Sequence, residues 1–175
     1  MKKYLICALS AVLFSISSQA GNEMSAAPQK KAKKELKSDD FKDARLVTLK
    51  GDSVYLSDYV GKHKYVMVDF WASWCGPCMR EVPNVKAAYE KYKSRGLEIV
   101  GVSLDRDPKA WEKAVNEKGI TWIQTGGMGS DISKSYGVQY IPYIVIFDKK
   151  GNIVAKNLHG EGLLTKLEEL MPGKK

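Results

Sequence analysis

Two cysteines three positions apart, Cys75 and Cys78, are the residues of this chain whose type and spacing best suit chemistry. Such a pair can close a small disulfide or supply two soft ligands to a metal ion. As a structural crosslink it would add little, because a disulfide stabilises a fold mainly through the length of chain that it closes. The pair therefore favours a disulfide that is made and broken in use.

The pattern around the pair predicts that it sits where a strand gives way to a helix. Residues 66–68 form an apolar run typical of a buried strand, and apolar residues recur at helical spacing after Cys78. Cys75 should therefore lie at the first turn of the helix. The first N–H groups of a helix lack intrahelical partners and carry partial positive charge, so a thiolate there is stabilised. We expect the pKa of the Cys75 thiol to lie below that of an ordinary cysteine.

Residues 69–78, with the sequence DFWASWCGPC, resemble the active-site segment of thioredoxins. The wider stretch 44–170 resembles the secreted bacterial thioredoxin-like thiol–disulfide oxidoreductases of the TlpA/ResA-like group. The resemblance implies an α/β fold of three layers, α/β/α, with a central mixed sheet. It also implies an added N-terminal β-hairpin and a βα insertion.

The resemblance implies catalytic roles for four side chains. Cys75 would attack a disulfide and Cys78 would resolve the mixed disulfide, so that the two form the redox-active pair. Asp69, a carboxylate in the central strand, would have a raised pKa through burial and accept the proton of Cys78 through a bridging water. The alternative for Asp69 is a strand-end carboxylate in water or one satisfied by a neighbouring donor. Glu81 would tune the pKa of either thiol, or would be an exposed helix glutamate.

A substrate-binding surface is implied by the same resemblance. It would consist of residues around the cysteine pair and of a turn far along the chain: Trp74, Gly76, Pro77, Ile141 and Pro142. In the thioredoxin fold this Ile-Pro bond is cis and faces the cysteines. The backbone of Ile141 would then pair with an extended substrate segment through strand-type hydrogen bonds.

Apolar periodicity and turn signals predict the other elements. The predictions are two short strands within 44–59, a helix over 78–94, a strand over 97–104 and a helix that begins at Asp107-Pro108 and closes at Gly119. They continue with a short strand over 120–123, a glycine-rich loop over 125–130, a short helix over 132–136, a hairpin of 143–147 with 152–156 and a last helix ended by Pro172-Gly173.

The first 20 residues are typical of a signal peptide: a lysine pair, an apolar stretch too short for a permanent span, and a small-x-small cleavage sequence ending at Ala20. An uncleaved anchor is the alternative; a lipoprotein is disfavoured because Cys7 precedes most of the apolar stretch. We expect a flexible Lys-rich lead-in over 21–43, a thioredoxin-like domain over 44–172, and a periplasmic protein that is soluble after cleavage.

The net charge of +8 comes in good part from the two N-terminal lysines and the Lys-rich lead-in. Such a segment is typical of a solvated tail, so no nucleic-acid partner is expected. His63 and His159 are predicted to be surface residues. We expect a monomer without a cofactor or a bound metal, which acts on protein disulfides and draws electrons from a membrane-borne donor.

The leading hypothesis is thus an extracytoplasmic reductase of disulfides in exported proteins, with clients that by family analogy include apocytochrome c. A thiol peroxidase of the peroxiredoxin type is a second interpretation, although that chemistry usually has a threonine three residues before the reactive cysteine, where Ala72 stands. A metal or copper delivery module is the third, with Cys75, Cys78 and one histidine as ligands. Spacing supports neither histidine in that role.

Overall fold

The computed structural model describes residues 40–126 and 131–173. The predicted signal peptide and nearly all of the predicted lead-in lie outside the described residues. Within the described part of the chain, no helix has the length and apolar character needed to cross a bilayer.

In the described residues the strands form one mixed sheet in the order β2-β1-β5-β4-β3-β6-β7. The strands are β1 (Arg45–Thr48), β2 (Ser53–Tyr55), β3 (Tyr65–Trp71), β4 (Leu97–Ser103), β5 (Ile123–Gly126), β6 (Tyr143–Asp148) and β7 (Ile153–Lys156). β3 pairs with β4, and β4 with β5, in parallel; the remaining pairs are antiparallel. The predicted mixed sheet with an added N-terminal hairpin is confirmed, and β1 attaches that hairpin to β5.

The α-helices are α1 (Gly76–Tyr92), α2 (Pro108–Glu117), α3 (Ile132–Ser135) and α4 (Gly160–Leu170). Short 3-10 turns cover Leu56–Asp58 and Lys93–Arg95. The helix predicted over 78–94 begins earlier, at Gly76, because Cys75 is its N-cap and Pro77 fits the first helical turn. α2 begins as predicted, with the Asp107 carboxylate accepting from the backbone N–H of Lys109.

The position of β5 corrects the prediction. The strand lies at Ile123–Gly126 and not at 120–123, so that Thr125 and Gly126 belong to the sheet and not to the glycine-rich loop. Pairing on both sides explains the difference, because β5 lies between β1 and β4. The buried Thr125 hydroxyl also donates to the Gly101 carbonyl, 2.9 Å away. The rest of that predicted loop, 127–130, lies outside the described residues.

Alternation along β3 decides what the sheet presents to each helical layer. Successive strand residues point to opposite faces, so Met67, Asp69 and Trp71 share one face. Met67 and Trp71 belong to an apolar cluster that also contains both cysteines and the inner face of α4. Val66, Val68 and Phe70 belong to the cluster on the other face, together with Tyr136. Asp69 therefore projects from the sheet on the cysteine side.

The residues just before β1 contact the domain. The backbone N–H of Lys42 donates to the Tyr136 hydroxyl (2.9 Å), and that hydroxyl donates to the Lys42 carbonyl (2.7 Å). The rings of Phe41 and Phe147 meet edge to face at 5.9 Å. Burial raises the pKa of Tyr136 to about 12, so the hydroxyl keeps its proton and both bonds at ordinary pH.

Candidate active site

Cys75 and Cys78 lie at the start of α1 and form a disulfide with an S–S distance of 2.07 Å. Cys75 is the N-cap, and its Sγ accepts the backbone N–H of Cys78 at 3.1 Å. The sulfur thus lies at the positive end of the helix, where negative charge is favoured. Once the pair is reduced, this environment can stabilise a thiolate on Cys75.

The turn that faces the cysteines carries a cis peptide bond between Ile141 and Pro142, as the resemblance predicted. The Sγ of Cys75 lies 3.6 Å from the carbonyl oxygen of Ile141. In the thiol form, the S–H of Cys75 could donate to this oxygen. The fold therefore brings two segments that are far apart in sequence to one sulfur atom.

A cleft of about 510 Å³ opens beside this sulfur. Its described lining consists of Trp74, Cys75, Gly76, Pro77, Leu104, Ser133, Val138, Gln139, Tyr140 and Ile141. None of these residues carries a charged side chain. Of the two cysteines, Cys75 is part of the described lining and Cys78 is not. Four of the five residues predicted to bind substrate line the cleft; Pro142 does not.

Two aromatic side chains at this cleft are unusually exposed to solvent. Trp74 is 68% exposed and Tyr140 is 55% exposed, whereas most other large apolar side chains of the described chain are at least partly buried. The Tyr140 hydroxyl accepts from the Nδ2 of Asn157 at 2.6 Å, which fixes the ring. Tyr140 is not among the residues predicted to form the site, although an aromatic residue directly before the Ile-Pro turn is an available signal.

Asp69 is 7% exposed, and its Oδ1 has no hydrogen-bond partner among the described residues. Burial raises the pKa of Asp69 to about 7, and the negative charge of Glu81 contributes in the same direction. The two alternatives for Asp69, exposure to water or satisfaction by a donor, do not account for this oxygen. A carboxyl with this pKa can take up or release a proton near neutral pH.

Glu81 joins two helices. Its Oε1 accepts the backbone N–H of Gly160 at 2.7 Å, and its Oε2 accepts from the Nδ2 of Asn84 at 3.1 Å. Gly160 opens α4, whose N-cap residue His159 makes no capping bond with its side chain. Glu81 therefore caps α4 from α1, which differs from an exposed helix glutamate, and its charge reaches Asp69 through space.

Neither histidine in the described part of the chain belongs to a group of side chains that could bind a metal ion. Among the described residues, no group of three or more His, Cys, Asp or Glu side chains could hold a metal ion. The Nε2 of His63 lies 4.0 Å from Glu98. The Nε2 of His159 lies 3.1 Å from the Oδ1 of Asn157. Because the other amide atom of Asn157 donates to Tyr140, the Nε2 of His159 is the donor to this oxygen.

Comparison with known proteins decides the assignment. The profile of the family described as Redoxin matches residues 34–170, well over half of the chain. The chain belongs to the Redoxin family. Thiol-disulfide oxidoreductase ResA of Bacillus thuringiensis subsp. konkukian is 32% identical over 123 residues, which cover 70% of this chain and 69% of that protein. ResA of Geobacillus kaustophilus is 32% identical over 133 residues, 74% of this chain and 75% of that protein.

Solved structures of similar proteins agree with this family. The thioredoxin domain of a thiol-disulfide oxidoreductase from Bacteroides vulgatus is 37% identical, with a TM-score of 0.69 over 74% of this chain and 94% of that one. A thiol:disulfide interchange protein from Bacteroides sp. is also 37% identical, with a TM-score of 0.70 over 77% of this chain and 89% of that one. The predicted thioredoxin-like fold and the predicted enzyme class, thiol–disulfide oxidoreductase, are confirmed.

Proposed function

We propose that this Redoxin-family protein reduces disulfides in exported proteins, outside the cytoplasm, through a dithiol–disulfide cycle of Cys75 and Cys78. One observation carries the proposal. The Sγ of Cys75 accepts the Cys78 N–H at the start of α1, lies 3.6 Å from the Ile141 carbonyl and borders an open, uncharged cleft. The helix start and the Cys78 N–H favour a thiolate on this sulfur, and the cleft beside it gives room for a protein chain.

The cycle starts from the reduced protein. The Cys75 thiolate attacks one sulfur of the client disulfide, a mixed disulfide forms, and the other client sulfur leaves as a thiolate that takes up a proton. Cys78 then loses its proton and attacks the Sγ of Cys75. The client leaves with both thiols, and the enzyme is left with the disulfide that the structure shows. Two electrons have passed to the client, and a membrane-borne donor would restore them.

Asp69 is the proposed proton acceptor for Cys78. Its carboxyl projects from β3 on the cysteine side and has an unpartnered buried oxygen and a pKa of about 7. A base whose pKa lies near the working pH is both available and strong enough for proton transfer. Glu81 would act on the thiols indirectly, because its charge raises the pKa of Asp69.

The proposed docking surface consists of the cleft and the turn opposite it. The backbone of Ile141 would pair with an extended client segment, held in place by the Pro142 turn. Gly76 and Pro77 leave the approach to Cys75 open. Trp74 and Tyr140 would contact apolar client side chains, since the described lining has no charge that would bind a charged one.

The proposed location rests on the sequence. A lysine pair, a short apolar stretch and a cleavage sequence at 18–20 support a signal peptide over 1–20, followed by a lead-in over 21–43 and the domain over 44–172. Clients would be exported proteins with disulfides or oxidised thiols, apocytochrome c among them by family analogy.

Trapping of clients on Cys75 tests the proposal. The Cys78→Ser variant should accumulate mixed disulfides with extracytoplasmic proteins, and the Cys75→Ser variant should accumulate far fewer. The reduced parent should also reduce insulin. Peroxide consumption by the reduced parent without any disulfide substrate would favour the peroxidase instead. Stoichiometric metal in anaerobically purified protein, with no reductase activity, would favour metal delivery.

A further inference from the structure

The turn between β3 and α1, which carries Trp74 and Cys75, is held by a buried carboxylate from another loop. Asp105 follows β4 and is 5% exposed. Its Oδ2 accepts the backbone N–H of Ser73 at 2.9 Å, and its Oδ1 accepts the Ser73 hydroxyl at 2.6 Å. We call this pair of hydrogen bonds the Ser73–Asp105 clamp.

Asp105 is itself held in place by hydrogen bonds at the end of β4. The Ser103 hydroxyl donates to the Oδ2 of Asp105 at 2.6 Å, and the Asp105 N–H donates to that hydroxyl oxygen at 3.0 Å. The N–H of Leu104 donates to the carbonyl of Trp71 at 2.8 Å. The end of β4 therefore offers a rigid support to the turn that leaves β3.

The clamp acts close to the reactive sulfur. Ser73 precedes Cys75 by two residues, and the N–H of Cys75 donates to the Ala72 carbonyl at 3.1 Å, so a tight turn joins them. Trp74 lies between them and is 68% exposed, so packing of its side chain does little to hold the turn. The turn is therefore held largely by hydrogen bonds of its backbone. The clamp supplies one of them, from the N–H of Ser73, and adds the bond from the Ser73 hydroxyl.

We propose that Asp105 is a positioning residue for Cys75, which acts through Ser73 to keep the sulfur against the Cys78 N–H and opposite Ile141. The inference rests on the proposed role of Cys75 as the attacking sulfur. A misplaced nucleophile loses rate steeply with distance, so loosening the turn should slow attack on a client disulfide. A merely structural Asp105 would affect folding stability and leave the reactivity of Cys75 unchanged.

Three variants separate these roles. Asp105→Asn replaces one acceptor oxygen by an NH₂ group that faces a donor; Ser73→Ala removes only the hydroxyl bond; Ser73→Thr restores a hydroxyl. The readouts are the pH profile of Cys75 alkylation by iodoacetamide in the Cys78→Ser background, and kcat/KM for insulin reduction in the otherwise unaltered chain. Thermal melting of each protein reports stability separately.

We expect kcat/KM to fall on the order of 10-fold in Asp105→Asn and about 3-fold in Ser73→Ala, with recovery in Ser73→Thr. The alkylation profile of Cys75 should move to higher pH in the first two variants. The matched control is Asp107→Ala, which removes the α2 cap two residues away. It should lower the melting temperature and leave both reactivity readouts at the parental values.

Two results would contradict the inference, and a third would contradict the proposed function. If Asp105→Asn melts earlier but keeps the parental profile and kcat/KM, Asp105 is structural only. If Asp105→Asn fails to fold, an unchanged profile and kcat/KM in Ser73→Ala also mean a structural role, and a loss rescued by Ser73→Thr supports positioning. If parental Cys75 is no more reactive than an ordinary thiol, the proposed function fails before the clamp is tested.

Discussion

Two buried carboxyl groups, those of Asp69 and Asp105, differ in what surrounds them. Asp69 projects from β3 with an oxygen that no described residue contacts through a hydrogen bond, and burial raises its pKa to about 7. Asp105 follows β4 and accepts hydrogen bonds from Ser73 and Ser103. Both side chains are less than a tenth exposed. The comparison shows that two similarly buried carboxyl groups can differ in their hydrogen-bond donors, because two serines donate to Asp105 whereas one oxygen of Asp69 has no donor among the described residues.

The largest expected effect is on the pH dependence of the free energy of unfolding of the oxidised protein. The ordinary pKa of Asp69 is 3.8 and the folded value is about 7, so between these values the unfolded chain releases a proton that the folded protein keeps. The free energy of unfolding should therefore fall as the pH rises from 4 to 7. Above pH 7 the titration of Asp69 should lower it no further. The loss is on the order of 4 kcal/mol, at about 1.4 kcal/mol per pKa unit.

Urea denaturation at a series of pH values, without reductant, measures this loss. Asp69→Asn should remove this contribution to the decline between pH 4 and 7, and Asp105→Asn should keep it. An equal decline in the parent and in Asp69→Asn would show that the two carboxylates do not differ in the way described.

The next largest effect is on the second chemical step. Asp69→Asn should slow the release of client from the mixed disulfide about 100-fold, because general-base assistance contributes at least that much. Single-turnover reduction of insulin, with free client thiol followed over time, measures the step. Alkylation of Cys75 in the Cys78→Ser background is the control and should change far less. Release of client at the parental rate would show that Asp69 does not accept the proton of Cys78 in this step.

A smaller effect is expected for Ser103→Ala, which takes one donor from Asp105. The variant should lose about 2 kcal/mol of unfolding free energy, because the Ser103 hydroxyl makes two hydrogen bonds with Asp105, each with a typical net value of about 1 kcal/mol. Its stability should fall with pH as steeply as that of the parent, because Asp69 is untouched. A flattened pH dependence in Ser103→Ala would mean that the two carboxylates are coupled.

The smallest effect is expected for Glu81→Gln. The amide oxygen can still accept the Gly160 N–H, but the charge that raises the pKa of Asp69 is lost. The pKa of Asp69 should therefore fall, by less than burial raises it, since burial is the larger cause. Carboxyl ¹³C NMR titration measures the change. Glu81→Ala is the matched control that also loses the α4 cap, and a pKa of Asp69 that stays constant in both would contradict the charge effect.

Local signals in the sequence predicted the parts of the site that depend on local structure. The cysteine pair at a helix start and Asp69 in a buried strand belong to short segments with their own pattern. The cis bond before Pro142 is implied by the family resemblance and not by a local pattern. The family match supplied the sheet and the order of the elements. The catalytic and docking roles of these residues stay predictions.

The features that the sequence analysis missed depend on contacts between distant segments. The sequence predicts β5 three residues too early, because pairing with β1 and β4 decides the ends of the strand and Thr125 and Gly126 are typical loop residues in isolation. Asp105 stands in a loop with three other charged or proline positions nearby, and nothing local marks it as the partner of Ser73. Tyr140 directly precedes the Ile-Pro turn in sequence, but its position beside Cys75 depends on the cleft that the fold forms.

Two hydrogen bonds between Lys42 and Tyr136 connect the segment before β1 to the lining of the cleft beside Cys75. Tyr136 directly follows α3, and Ser133 and Val138 on either side of it line that cleft. A displacement of the chain at Lys42 would thus be transmitted to the lining of this cleft, whereas removal of the residues before Lys42 would leave both hydrogen bonds in place.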